Sequence, residues 1–377
     1  MRVVVIGGSY AGIAATRALE ASGIDVTLIE RNEWFFHKIG GTRACVKPGY
    51  ETEALLPLTR AVKRPASRLV HGAALNVNAA ENKVEVELAN GEHETIEYDH
   101  LILAMGLSHG FGQLPEKVMS KAEMLEYLRA EQERVRAANV VVIVGGGALG
   151  VETSTQIKAT HPDKEVHLYH SKKTFLSAAT PPVADEFSDA VHEKLEQMDI
   201  VMHLGGGRRT REDLEKEHPG ALVIFTAGCA ASASTLQMLP EEWLSSSGEV
   251  KVLPTLQVDG APSNVYAVGD LAASGDFKQA RCTKDHAKVV VSNINGKRTV
   301  YNPSRSNPWF ACLVPYLCSS YVRARTSSTT QVSLYIGETD GITQGFGLVF
   351  SDKLAAKANH SDKGVSKAKK YLGLGDV

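Results

Sequence analysis

Two short glycine-rich stretches carry the clearest chemistry in this 377-residue sequence: Gly7-Gly8-Ser9-Tyr10-Ala11-Gly12 and Gly145-Gly146-Gly147-Ala148-Leu149-Gly150. Both place glycines at the first, third and sixth positions, except that Ser9 stands at the third position of the first loop. This is the pattern of a diphosphate cradle. The first glycine permits a tight turn, the third position must be small beside a pyrophosphate, and the sixth lets a helix pack closely on a strand. A helix starting there adds free N–H groups and partial positive charge for the phosphates. Glu30 ends the strand after the first loop and is placed to accept hydrogen bonds from an adenosine ribose. The matching strand after the second loop, Val166–Tyr169, ends in His170, followed by Ser171, Lys172 and Lys173. An acid there would favour the 2′-hydroxyl of NADH and repel a 2′-phosphate. Its absence predicts that NADPH serves at least as well as NADH, unless the lysines are only solvated surface charges. Two nucleotide sites in one chain imply chemistry passing between them.

Each loop needs a strand before it and a helix behind it, and the hydrophobic pattern supplies both. Val3–Ile6 is an apolar run, as a strand buried on both faces requires, and Ala11, Ile13, Ala14, Ala15, Ala18 and Leu19 make a small-residue helix. Val140–Val144 is the corresponding second strand. Val84–Leu88 alternates before an Asn-Gly turn, and Leu101-Ile102-Leu103-Ala104-Met105-Gly106 reads as another apolar strand, ending in glycine. Amphipathic spacing predicts helices over 121–138, 183–198 and about 283–295, and strands over 200–204, 222–225 and 265–268. The fold class is α/β, with two Rossmann-like units and a small α+β region at the C-terminal end.

Composition narrows the partners. Lysine plus arginine total 41 against 43 for aspartate plus glutamate, a formal net charge of −2, so nucleic acid binding is not expected. Five cysteines without a CxxC pair argue against a disulfide scaffold and a cysteine-based metal site, and no metal is expected. The first core strand begins at Val3, which leaves no room for a signal peptide and makes a cytoplasmic location the expectation. The apolar run 309–322, flanked by Arg323 and Arg325, and six lysines between 353 and 370 admit a peripheral contact with an intracellular membrane; a covering loop and a solvated tail are the alternative. Nothing in the sequence sets the oligomeric state.

The GGSYAG loop, LILAMG and NVYAVGDLA together resemble the two-dinucleotide-binding-domain flavoprotein reductases. FFHKIGGTRACV, GGGALGVETSTQIKATHPDKEVHLYHS and GDFKQARCTKDHAKVVVSNI are more closely similar to the apoptosis-inducing-factor homologues of the ferroptosis-suppressor type. The resemblance spans roughly residues 1–300 and resumes near IGETDGITQGFG. It implies an FAD-binding domain over 1–115 and 255–300, an NAD(P)H-binding domain over 116–254 and a C-terminal region over 301–377. It also implies hydride transfer from NADPH or NADH to FAD, and then electrons to a quinone-like acceptor. A redox-sensing signalling flavoprotein with slow turnover that binds a partner or nucleic acid is the alternative, with the C-terminal lysines as its local support.

By the same resemblance Gly7, Gly8, Ser9, Ala11, Gly12, Glu30, Arg31, Arg43, the backbone near Val70, Ala104, Gly106 and Asp270 would hold FAD. Gly145, Gly147, Gly150 and His170 would hold the nicotinamide dinucleotide. Glu152 would face the nicotinamide, and Lys278 and His286 would lie near the flavin ring, where a lysine could stabilise reduced, anionic flavin. Lys278 also reads as a surface lysine and His286 as a satisfied helix histidine. Cys45 sits where disulfide reductases of this fold carry a redox pair, but no second cysteine follows, so a small buried hydrophobe is the reading. Two departures from the family pattern stand out. The connection 205–221 lacks a β-meander that would help cover the nicotinamide site, and 307–331 is extra.

Overall fold

The computed structural model describes residues 1–177, 179, 182–275, 278–303, 322–325, 332–345, 348–351 and 365–372. The first strand–loop–helix–strand unit is β1 (Val3–Ile6), α1 (Tyr10–Ala21) and β2 (Val26–Glu30). Val3 and Val5 of β1 join the core on one side of the sheet and Val4 and Ile6 the core on the other, so every position must be apolar. The antiparallel pair β3 (Trp34–Phe36) and β4 (Leu55–Pro57) brackets two short helices, α2 (Gly41–Ala44) and α3 (Tyr50–Glu53). β5 (Arg68–Asn78) runs parallel to β2 through His71, then pairs antiparallel with β6 (Lys83–Leu88), which turns onto β7 (His93–Glu97). β8 (His100–Leu103) returns beside β1.

A reciprocal capping box between Ser120 and Glu123 starts α4 (Lys121–Ala137). The second unit follows: β9 (Val140–Val144), α5 (Ala148–Thr160), β10 (Glu165–His170), α6 (Asp185–Gln197), β11 (Ile200–Leu204), α7 (Arg211–Glu217) and β12 (Leu222–Phe225). Its sheet is parallel, in the order β11-β10-β9-β12. The chain then returns to the first unit through α8 (Ala233–Met238) and β13 (Val265–Ala267), and α9 (Thr283–Ile294) packs on α1. The first sheet reads β13-β8-β1-β2-β5-β6-β7. Met238, Trp243 and Val250 bury in its core, although the expected boundary of the second domain lies at 254.

The C-terminal region contains β14 (Val322–Arg325), β15 (Val332–Ile336), β16 (Asp340–Gly345) and β17 (Leu348–Ser351), an antiparallel sheet in the order β14-β17-β16-β15. Leu334, Ile336 and Ile342 share a core with α5 and α6, so these helices lie between two sheets. α10 (Val365–Leu372) places Val365 and Ala368 in the core of the first unit, which anchors the end of the lysine-rich stretch. Residues 309–321 lie outside the described residues, as do Cys312 and Cys318. Among the described residues no helix is long and apolar enough to cross a membrane.

Over the connection where the meander is lacking, α7 packs on β12. Thr210 and Asp213 cap it reciprocally, and Leu214 closes a small core with Val142, Tyr169 and Val223. The expected helices and strands form within about two residues of their predicted bounds, except that the strand expected over 101–106 ends at Leu103, before the loop that lines the first cleft.

Candidate functional site

The first glycine loop lines a cleft of about 1150 Å³, including space open to solvent. Gly7 has φ +104°, and a Cβ there would lie 2.6 Å from the Ala104 carbonyl oxygen. A Cβ on Gly12 would lie 1.7 Å from the Gly7 carbonyl oxygen. Both positions are therefore closed to any side chain. Ser9 is the N-cap of α1 but makes no side-chain capping bond, so the helix's first N–H groups have no side-chain cap. The Gly8 N–H donates to Glu30 Oε2, while Glu30 Oε1 accepts from the Asn32 backbone N–H at 3.0 Å and from Asn32 Nδ2 at 2.9 Å. A carboxylate offers about four lone-pair positions, which leaves capacity for a ribose hydroxyl.

Of the residues expected at FAD, Gly7, Gly8, Ser9, Glu30, Arg31, Ala104 and Gly106 line this cleft. Ala11 stands behind it, packed against Gly269. Val70 is buried opposite Ile29 within the sheet, and the strand reaches the cleft just beyond it, at Gly72–Ala74. Arg43 goes elsewhere. Its guanidinium is buried, bonded to Gln156 Oε1 at 3.0 Å and to the Gly337 carbonyl at 3.2 Å. It ties α2 to α5 and the C-terminal sheet rather than lining the cleft. The cradle, its uncapped helix and the acid at the strand end fit an adenine dinucleotide.

The second loop repeats this construction. A Cβ on Gly150 would lie 1.7 Å from the Gly145 carbonyl oxygen, and one on Gly147 would meet nothing within 4 Å. Gly147 caps α5 without a side-chain bond, leaving open space above a helix start. His170 takes the role that Glu30 has in the first unit: its Nδ1 accepts from the Gly146 N–H at 3.2 Å. Burial lowers the His170 pKa, and Lys172 adds to the effect against a raising bond from Thr174. The ring is thus neutral at pH 7. Lys172 and Lys173 are exposed beside it.

The three expected catalytic groups all have structural partners. Glu152 Oε1 accepts from the Tyr335 backbone N–H at 3.0 Å and so fastens α5 to the C-terminal sheet. His286 is 1% exposed, its Nδ1 accepts from the Gly269 N–H at 3.0 Å, and Tyr301 packs edge-on against it. It holds the turn after β13 rather than facing an open site. Lys278 Nζ pairs with Glu249 Oε1 at 2.6 Å and donates to the Ala272 carbonyl at 2.6 Å. None of the three is among the residues that line the cleft.

Other residues gather around Asp270. Lys38 lines the cleft; burial lowers its pKa, while Asp270 and Glu30 work against that shift. His109 Nε2 lies 3.8 Å from Asp270 Oδ2. Burial opposes its charge, but Asp270 and the Cys229 thiol outweigh burial and raise its pKa to about 8. Burial alone would raise the Asp270 pKa, yet His109, Lys38 and Lys278 hold it below the ordinary value. Sequence reasoning missed Lys38 and His109. Their only signal was position, in FFHKIG and just after AMGL, without a motif.

Cys45 is fully buried, and burial pushes its thiol far up. Cys45 and Cys229 carry free thiols. Among the described residues no group of histidine, cysteine or acidic side chains is arranged to hold a metal.

Two dinucleotide cradles, each set on parallel strands of its own sheet, define a pyridine-nucleotide oxidoreductase. The chain belongs to the pyridine nucleotide-disulphide oxidoreductase family, which it matches over residues 1–290. It is an FAD-dependent NAD(P)H oxidoreductase. Ferroptosis suppressor protein 1 of Xenopus laevis is 27% identical over 386 residues, covering 99% of this chain and 96% of that protein. Apoptosis-inducing factor homolog B of Dictyostelium discoideum is 26% identical, covering 91% of this chain and 89% of that protein. Among solved structures, the sulfide:quinone oxidoreductase of Aquifex aeolicus shares the fold with a TM-score of 0.69 at 15% identity, covering 99% and 92% of the two chains.

Proposed function

We propose that the chain passes reducing equivalents from NADPH or NADH, held at the Gly145–Gly150 loop, through FAD, held at the Gly7–Gly12 loop, to a quinone. The observation that carries this reading is the repeated cradle, in which Glu30 and His170 take the same backbone N–H in their two units. Bound FAD supplies the step between a hydride donor and an acceptor that takes electrons. The protein's own residues bind and orient. Gly7 and Gly12 let the backbone approach the diphosphate, Glu30 receives the ribose, and Lys38 and Asp270 set the charge beside it.

The missing acid at the end of β10, with Lys172 and Lys173 exposed next to it, supports use of NADPH at least as readily as NADH. The quinone acceptor rests on the likeness to ferroptosis suppressor proteins. The domain division that fits the packing returns to the FAD unit directly after β12. A peripheral membrane contact belongs to the same proposal, with Arg323, Arg325 and the lysines of α10 as its basic groups; flotation with anionic liposomes tests it, and failure to bind at low salt overturns it.

The decisive experiment is the absorption spectrum of the purified protein, followed by anaerobic reduction with NADPH and reoxidation by a short-chain quinone. A flavin spectrum, bleached and restored in that order, is expected. A colourless protein that FAD cannot reconstitute overturns the reading, and a flavin that the quinone fails to reoxidise overturns the acceptor.

A further inference from the structure

The two segments that connect the nucleotide units run side by side. Ser108 and Ala230 exchange backbone hydrogen bonds at 2.8 and 3.1 Å. A Cβ on Gly110 would lie 2.7 Å from the Phe225 carbonyl oxygen. His109 rides on the first connection between these two contacts, and Cys229 sits on the second, one residue before Ala230. Beyond them stands Asp270 on the turn after β13, its Oδ2 3.8 Å from His109 Nε2, and the charge of Lys38 acts on the same carboxylate. Elements far apart in sequence thus bring two cationic groups to act on one carboxylate; Asp270 and His109 are not themselves among the residues lining the cleft, but Lys38 and Ser108, next to His109, are.

We infer that His109 is a positioning residue for FAD: it reaches from the first connection to Asp270, pairs with the carboxylate on which Lys38 also acts, and carries a positive charge while the anionic dinucleotide is bound. This rests on the FAD reading above. Its logic is charge balance. With His109 neutral, Lys38 and Asp270 cancel; with it protonated, the group is net positive and favours a diphosphate. The groups facing His109 are Asp270, Lys38 and the Cys229 thiol, with Lys278 and Glu30 acting on them in turn. Because bound FAD favours the protonated ring, binding takes up a proton, and affinity falls as the ring loses it.

The test is equilibrium release of flavin on dilution of the holoprotein, read by flavin fluorescence between pH 6.5 and 9. For the wild-type protein the dissociation constant is expected to rise about threefold to tenfold across this range, since about tenfold corresponds to a ring that loses its proton one pH unit higher with FAD bound than without it. H109Q should give a flat curve near the wild-type high-pH value. H109K, which keeps a charge throughout, should give a flat curve near the low-pH value. C229S should retain the step, since a step lost there and kept in H109Q would make the thiol the titrating group and overturn the inference. An H109Q curve that keeps the step, or a flat wild-type curve, overturns it as well while leaving FAD binding intact. A wild-type protein that holds no flavin at any pH overturns the FAD assignment and this inference together.

Discussion

Exchanging the strand-end residue of the second unit for that of the first should exchange its cofactor preference. In the first unit Glu30 accepts the Gly8 N–H; in the second, His170 accepts the Gly146 N–H. The packing also matches, since a Cβ on Gly8 would lie 2.9 Å from Glu30 Cβ and one on Gly146 would lie 2.6 Å from His170 Cγ. H170E therefore keeps an acceptor for the loop while placing a carboxylate at the strand end. Two unit charges about 5 Å apart repel by roughly 1–3 kcal/mol between the dielectric of water and that of a protein surface. The expected loss in kcat/KM for NADPH is therefore about 5- to 150-fold, with NADH unchanged or improved. Lys172 and Lys173 remain to attract the 2′-phosphate, so the lower part of that range fits a fully solvated geometry. The assay is quinone-dependent oxidation of each nucleotide, with the flavin absorbance confirming that FAD stays bound. If the ratio of NADPH to NADH efficiencies moves less than twofold, the strand end does not read the ribose and the equivalence of the two units fails.

E30Q replaces one acceptor oxygen with an NH2 group that must face either the Gly8 N–H or the Asn32 donors. A mispaired buried donor costs about 1–3 kcal/mol, so FAD affinity should fall roughly 5- to 150-fold, read as flavin lost on gel filtration. R43Q leaves the carbonyl of Gly337 without its guanidinium partner and should lower stability to urea by about 1–3 kcal/mol, with the flavin content unchanged. Flavin loss at unchanged stability would instead return Arg43 to the cofactor site. On the face covered by α7, His167 and His203 share a 3.0 Å contact, and Tyr169 bonds His218 at 2.8 Å. Burial, then the neighbouring His167, lowers the pKa of both His203 and His218. For such groups the unfolded chain binds more protons below pH 6.5, so their contribution is present above that pH and is lost as pH falls through the folded values. Tm should drop between pH 7 and 5.5, and drop less in H203Q; equal slopes would refute the assignment.

What the sequence made legible was what neighbours in sequence determine. A loop that must turn at φ +104° and let a helix press on a carbonyl announces itself through Gly7 and Gly12, and Glu30 follows at a fixed strand length. The capping pair Thr210 and Asp213 was equally local and could have placed α7 over the shortened connection. By contrast, Arg43 bonds Gln156 and Gly337, 113 and 294 residues onward, and Glu152 bonds Tyr335, 183 residues onward. No spacing rule reaches that far, so both side chains read as cofactor ligands because family position was the only guide. Their conversion into struts has a common cause. α5 carries the second cradle at its N-terminus and the contacts of Glu152 and Gln156 along its length, so the C-terminal sheet is braced against the same helix whose start would meet the nicotinamide dinucleotide. His109 and Lys38 escape sequence reasoning for a related reason. A cluster assembled from the segment after β3, a connection between the two units and the turn after β13 has no period, and only the fold brings its members to Asp270.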